Sequence, residues 1–418
     1  MSRFVHACLQ TFLQNWLRRG RLDVRLPDGA TFSCGDGEGP SAAVALTEPS
    51  APLRLLRDPT LALGELYMDG GLVVERGGVY DVLEMGLRNL EPGAAHGWIR
   101  AQDAWRYGLR RLHQANDARR ARRNVAHHYD LGNALYELFL DSDMQYSCAY
   151  FERPGQSLEE AQLAKKRRIA AKLHVAPGQS VLDIGCGWGG MALYLARACG
   201  ARPIGVTLSQ EQLERARARA AQTKAAAQFR LQDYRAVTES FDRIVSVGML
   251  EHVGAPYLDA FFAQVARLLK KDGVALVHTI GRPEGPGITN PWIKKHIFPG
   301  GYIPALSELA RAIERSGLMI ADVEVLRLHY AETLKAWRER FLARRAEAAA
   351  MYDERFCRMW EFYLAGSEAC FRLGQQVVFQ IQLVRDVAAL PDTRDYVAEG
   401  ERRLRACEEA RDLRLAGE

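Results

Sequence analysis

The sequence predicts a doubly wound, mostly parallel α/β domain with helical lid insertions, preceded by a smaller α/β or α+β domain. Three observations carry that prediction. From residue 180 onward, short apolar runs alternate with amphipathic helical patterns. The first of those runs ends in a glycine-rich turn. A basic stretch separates this region from an N-terminal part rich in short strands and turns. A length of 418 residues suits two domains better than one. The expected limits are 1–95 for the N-terminal domain, 96–123 for a basic linker and 124–418 for the larger domain.

Composition excludes several classes. Hydrophobic residues make up 48% of the chain and charged ones 26%, the balance of a soluble globular protein. A net charge of +5 is too mild to demand a polyanionic partner. The eight cysteines are scattered and form no CxxC, which argues against a disulfide framework and for a reducing cytoplasm. No apolar run approaches the roughly 18–20 residues that span a bilayer. The N-terminus also lacks the order of segments of a signal peptide. A soluble chain is expected, and a membrane surface stays open to it.

Residues 1–20 set Phe4, Val5, Cys8, Leu9, Phe12, Leu13, Trp16 and Leu17 on one helical face. That face either packs on its own domain or dips into lipid headgroups. Residues 21–80 read as short strands and turns. Between 92 and 123, eight arginines stand against Asp103 and Asp117. Such a run is either a solvated helix and linker or a surface for anionic phosphates, with Trp105 and Tyr107 as anchors. It brings no reading motif, so nucleic acid is not an expected partner.

The strands of the larger domain are "SVLDIG" (180–185), "RPIGVT" (202–207), "AQFRLQD" (227–233), "FDRIVSVG" (241–248) and "GVALVHTIG" (273–281). They are apolar runs suited to buried parallel strands, with helical patterns as crossovers between them. Residues 331–388 read as long, aromatic-rich helices forming a lid.

"VLDIGCGWGG" (181–190) is a strand, a tight turn and a helix start. Gly185, Gly187 and Gly189 allow unusual backbone angles and close approach of a ligand. Alone, that spacing fits both nicotinamide and S-adenosylmethionine (SAM) binders. Its surroundings decide. Asp183 stands two residues before the first glycine. The second strand ends in "VTLSQEQ" instead of a ribose-gripping acid, so Thr207, Ser209 and Gln212 offer neutral hydrogen bonds. The third ends in "LQDYR", where Asp233 is placed to accept from an adenine amino group and Tyr234 to lie on the ring. The expectation is a Rossmann-like class I SAM-dependent methyltransferase.

Eight ordered blocks narrow this further: "NVAHHYDLGNALYELFLDSDMQYSCAYFE", "VLDIGCGWGG", "VTLSQEQ", "LQDYR", "FDRIVSVGMLEHVG", "LVHTIG", "PWIKKHIFPGGYIP" and "HYAETLKAWRERF". In order and spacing they resemble the cyclopropane-fatty-acyl-phospholipid synthase family, including its mycolic acid relatives. The likeness is close over residues 124–380 and looser before them. It implies methylene transfer from SAM to the cis double bond of a phospholipid acyl chain. The alternative is methylation of the same bond without ring closure, giving a branched or hydroxylated chain.

That chemistry passes through a carbocation, so it needs an apolar tunnel, electron-rich surfaces and a base. Tyr146, Tyr330, Phe298, Trp292 and Tyr302 are the aromatic candidates. Glu251, His252 and His278 are the titratable groups near strand ends. The resemblance implies a bound bicarbonate as base, held by Cys148, Glu251, His278, Tyr330 and the backbone of Ile280. Many relatives read Tyr-Asp where this chain has Tyr330-Ala331. Cys148 is thus expected to cradle the anion, with Tyr146 and Ser147 closing over the cofactor. No metal is expected, since adjacent histidines such as those in "HHYD" (127–130) rarely chelate together. The expected partner is the bilayer surface on the inner, cytoplasmic face of the membrane. The N-terminal domain would dock on lipid or assemble a homodimer.

Overall fold

The computed structural model describes residues 2–90, 97–108 and 132–410. The His127–His128 pair and most of the basic linker expected at 96–123 lie outside the described residues. The chain packs as two compact units. Met1–Arg110, Ile288–Pro299 and Leu334–Gln375 form the first. Arg111–Gly287, Gly300–Thr333 and Gln376–Glu418 form the second.

The first unit is built on four strands: β1 (Arg21–Arg25), β2 (Thr31–Cys34), β3 (Ser41–Leu46) and β4 (Leu72–Arg76), in the order β2-β1-β3-β4. Alternation puts Leu22 and Val24 of β1 inward, where they join Val44 and Leu46 of β3. The N-terminal helix Ser2–Trp16 buries Leu9 and Phe12 in this core and leaves Phe4 75% exposed. Helix Glu354–Arg372 closes the core through Ala365 and Phe362. The Tyr67 hydroxyl donates to Glu361 at 3.0 Å, and Arg358 donates to the Met68 carbonyl at 2.8 Å. Trp292, named above among the aromatic candidates, is a core residue of this unit. Its indole nitrogen donates to the Met68 sulfur at 3.1 Å, its ring lies 4.7 Å from Phe362, and only a glycine at 64 leaves it room. Phe298 packs edge-on against Tyr363 in the same unit.

The second unit holds β5 (Ser180–Ile184), β6 (Arg202–Thr207), β7 (Gln228–Leu231), β8 (Phe241–Val247), β9 (Leu269–Gly281), β10 (Met319–Leu326) and β11 (Val377–Val384). Their order is β10-β11-β9-β8-β5-β6-β7. Strands β5 to β9 pair in parallel, while β11 runs antiparallel to both β9 and β10. The direction of winding reverses between β5 and β8, the position where such sheets collect ligands.

Two elements differ from expectation. Residues 331–388 are not helical throughout: Val377–Val384 is a fully buried strand inside the sheet. Its polar Gln380 and Gln382 obscure the apolar run that marks its neighbours. Strand β9 also starts at Leu269, ahead of the expected 273.

Candidate active site

At the switch point a cavity of about 140 Å³ opens, lined by the turn after β5, the ends of β6 and β8, and the segment Met144–Ser147. Of the expected cofactor residues, Tyr146, Ser147, Asp183, Gly185, Gly187, Thr207, Gln212 and Tyr234 line it. Gly189, Ser209 and Asp233 do not, and each has a visible structural task.

The three glycines of the turn all have positive φ: 78° at Gly185, 53° at Gly187 and 84° at Gly189. A side chain at Gly185 would meet Met249 at 2.6 Å, whereas one at Gly187 would meet nothing within 4 Å and stand in the cavity. Gly189 faces the protein instead: a Cβ there would strike Phe229 at 2.7 Å. Replacing Gly185 by Ala therefore lowers SAM affinity by about tenfold or more, measured by calorimetry. Gly178→Ala is the control, because it shares a positive φ of 79° with open space around it. Equal affinities in both variants would remove the turn from the binding site.

Asp183 is buried, and its Oδ2 has no hydrogen-bond partner among the described residues. Burial pushes its carboxyl up to about 7. At the end of β6, the Thr207 hydroxyl donates to Gln212 Oε1 at 2.9 Å. Ser209 caps the following helix by accepting from the Gln212 N–H at 3.3 Å. After β7, Asp233 is held by Arg235 through contacts of 2.9 and 2.8 Å, so Gln232, Tyr234 and Arg235 are the side chains on the cavity.

The segment Met144–Ser147 owes its shape to buried polar contacts. Met144 adopts φ +57°, and Asp141 accepts from the Gln145 N–H at 2.9 Å. The fully buried Lys165, on helix Leu158–Lys172, donates to Gln145 Oε1 at 2.6 Å and to the Ser147 hydroxyl at 2.8 Å. Burial pulls its ammonium down to about 8. Tyr146 packs edge-on against Tyr136 with ring centroids 5.2 Å apart.

None of the residues expected to hold the base, Cys148, Glu251, His278, Ile280 and Tyr330, lines this cavity. Glu251, on the turn after β8, accepts from the Ile280 N–H through Oε1 at 2.6 Å. Its Oε2 is buried with no partner among the described residues, and burial pushes the carboxyl up to about 7. The Tyr302 N–H donates to the Glu251 carbonyl at 2.9 Å, while the Tyr302 hydroxyl is engaged by Glu308. Cys148 is 0% exposed, and burial pushes its thiol far above the ordinary value, so it is a neutral S–H. Hydrogen bonds from Ala149 to Thr333 and from Phe151 to His329, both 3.0 Å, tie its segment to the first turn of helix His329–Ala343, which carries Tyr330. His278, 2% exposed on β9, meets Gln380. The buried Lys165 charge acts on Asp183, Cys148 and His278 alike. His252 lines the cavity, and burial pulls its imidazole down to about 4.

Sequence reasoning missed Gln145, Trp188 and Arg235 on the cavity, Lys165 bonded to Gln145, and Gln380 against His278. One signal was present. Four successive cations, Lys165 to Arg168, cannot all face solvent on a helix.

The buried, unpartnered Asp183 oxygen is an acceptor suited to an ammonium group, and the open space beside Gly187 admits a ligand against bare backbone. SAM fits that donor set. The sheet order and this site define a class I SAM-dependent methyltransferase. The chain matches the mycolic acid cyclopropane synthetase family over residues 116–381. Residues 8–93 match a domain of unknown function, DUF7884. It is 41% identical over 354 residues to the cyclopropane-fatty-acyl-phospholipid synthase of Escherichia coli K12, covering 84% of this chain and 90% of that one. The tuberculostearic acid methyltransferase UfaA1 of Mycobacterium tuberculosis is 37% identical over 379 residues, 86% of each chain. Among solved structures, mycolic acid cyclopropane synthase CmaA1 complexed with SAH and CTAB superposes with a TM-score of 0.60 at 35% identity. That likeness covers 63% of this chain and 97% of the other. The chain belongs to the mycolic acid cyclopropane synthetase family and is a SAM-dependent methyltransferase.

Proposed function

We propose that the protein adds the methyl carbon of SAM to the cis double bond of unsaturated phospholipid acyl chains and closes it to a cyclopropane, with a bound bicarbonate as base. When bound, SAM supplies an electrophilic sulfonium methyl. Asp183 takes its ammonium, and the Tyr146–Ser147 segment closes over it. The alkene's electron pair forms the new C–C bond as the C–S bond breaks, leaving S-adenosylhomocysteine and a carbocation. A proton then leaves the transferred methyl for bicarbonate, and the freed electron pair closes the ring.

The observation that carries this reading is Glu251. One carboxylate oxygen is fixed by the Ile280 N–H at 2.6 Å, and the other is buried and unpartnered. A buried acceptor of this kind calls for a donor, and a bicarbonate O–H is one of fitting size. Cys148, His278 and Tyr330 supply further hydrogens for the anion's remaining oxygens. Tyr146 and Tyr330 offer ring faces to the cation, each worth roughly 1–2 kcal/mol when desolvated.

The partner surface is the cytoplasmic face of a phospholipid bilayer. No helix among the described residues is long and apolar enough to cross a membrane. The exposed Phe4 and Trp105 of the first unit are suited to the headgroup region.

The test is mass spectrometry of phospholipids incubated with the protein and SAM, with and without bicarbonate. The expected product is one CH₂ heavier with a ring in place of the double bond, and its formation slows reversibly in bicarbonate-free buffer. An undiminished rate there would overturn the base assignment. A second reading, methylation without ring closure, is favoured by the 37% identity to the tuberculostearic acid methyltransferase. A branched or hydroxylated chain would establish that reading instead.

A further inference from the structure

Across β11, Gln380 stands in register with His278 of β9 on one side and with Glu324 of β10 on the other. One row of side chains thus crosses three neighbouring strands. Gln380 is 0% exposed and His278 2%. From the end of helix Leu158–Lys172, Lys172 reaches this row. Its ammonium donates to Gln380 Oε1 at 2.8 Å and also to Glu324. Gln380 Nε2 lies 3.2 Å from His278 Nδ1.

The direction of each hydrogen bond follows from chemistry. An ammonium has only hydrogens to give, so its contact on Gln380 is the amide oxygen. Rotating the amide by half a turn would set NH₂ against NH₃⁺. The NH₂ therefore faces His278, and Nδ1 must meet it with a bare lone pair. The ring hydrogen is left on Nε2.

We propose that Lys172 and Gln380 are positioning residues that lock His278 as its Nε2–H tautomer, so that His278 donates a hydrogen to the anionic base and does not itself take the proton. The inference rests on the reading of the reaction given above and deepens it. Accepting a proton would place a second hydrogen on Nδ1, directly against the Gln380 NH₂. The surrounding charges act in the same direction. Lys172 and Lys165 face the ring from the helix and disfavour an imidazolium. Glu324 alone favours one, and it is already engaged by Lys172 and by Arg168 at 2.6 and 2.8 Å. Burial above all, with the two lysines, holds His278 down at about 3, neutral at working pH.

The experiment is ¹⁵N NMR of the full-length, histidine-labelled protein, with His278 assigned by comparison with His278→Gln. The expected wild-type spectrum has a bare Nδ1 and a protonated Nε2, without titration between about pH 5 and 9. In Gln380→Glu the new carboxylate accepts from the ring, so the hydrogen moves to Nδ1 and the ring begins to titrate. The kcat of that variant falls by roughly 10- to 100-fold, the range seen when a histidine's orienting partner is lost, with the SAM Kd unchanged. Lys172→Met frees the amide to rotate, and both tautomers appear. A wild-type Nδ1–H, a titrating wild-type ring, or a Gln380→Glu protein with wild-type spectrum and kcat overturns the proposal. If Gln380→Glu fails to bind SAM, the wild-type and Lys172→Met spectra decide. These spectra need neither lipid nor bicarbonate. The expected spectra without any ring product would overturn the reaction and leave the lock; ring product with a different tautomer would overturn the lock alone.

Discussion

Glu251→Gln lowers kcat by about a thousandfold, the middle of the range for a lost acid–base group, while SAM binds almost as before. The amide keeps an oxygen for the Ile280 N–H, now bonded at 2.6 Å, so the local fold survives. It replaces the buried, unpartnered Oε2 by a donor. An anion's O–H that Oε2 would accept then meets N–H hydrogens instead. SAM is spared because Glu251 does not line the cavity. The pH profile supplies a second readout. Burial raises the Glu251 carboxyl to about 7, so its acceptor form grows as pH rises through that value. At saturating bicarbonate the wild-type kcat rises over the same range, and Glu251→Gln lacks that limb. A variant with the wild-type rate would take Glu251 out of the reaction altogether.

Glu408→Leu costs about 3–5 kcal/mol of stability, the penalty for leaving a buried charge without its main partner. Arg167 binds Glu408 through contacts of 2.8 and 3.1 Å, with side chains only 4% and 5% exposed. Tyr194 donates to the same carboxylate at 2.6 Å. The pair fastens helix Asp395–Ala410 to helix Leu158–Lys172, the helix that also carries Lys165 and Lys172. Calorimetry should show Tm falling on the order of 10 °C. Removing both partners, as Arg167→Met with Glu408→Leu, recovers much of the loss. A single variant within about 0.5 kcal/mol of wild type would mean that Glu152, 3.2 Å from the guanidinium, or water is enough to satisfy it.

Which parts of this architecture are legible in the sequence follows from burial and polarity. Strands β5 to β9 are readable because parallel strands covered on both faces must be continuously apolar. The glycine turn is readable because its backbone admits few other residues at positive φ. Strand β11 is not, because Gln380 and Gln382 carry polar groups inward to Lys172, His278 and Tyr396. A polar row needed inside a sheet resembles, in one dimension, a solvated helix. Lys165 is concealed in the same way within "KKRR". Asp233 is expected at the adenine, but Arg235 turns back in a short 3₁₀ turn to hold it, a contact that no periodicity announces. For the base, residues alone leave Glu251, His252 and His278 open, and only the resemblance joins Glu251 to Ile280. The 2.6 Å contact between them is what the fold adds.

The interleaving of the two units has a consequence for the order in which the protein is made. Helix Glu354–Arg372 completes the core of the unit whose opening segment ends at Arg110. A ribosome working at roughly 5–20 residues per second takes tens of seconds to travel between those points. During that interval the faces of Leu83 and Tyr67 that later meet Gly366 and Glu361 have no native partner. The N-terminal unit therefore cannot fold to completion until most of the catalytic unit has been synthesised, although it is begun first. It is finished only when residue 375 has left the exit tunnel, with most of the catalytic sheet already synthesised.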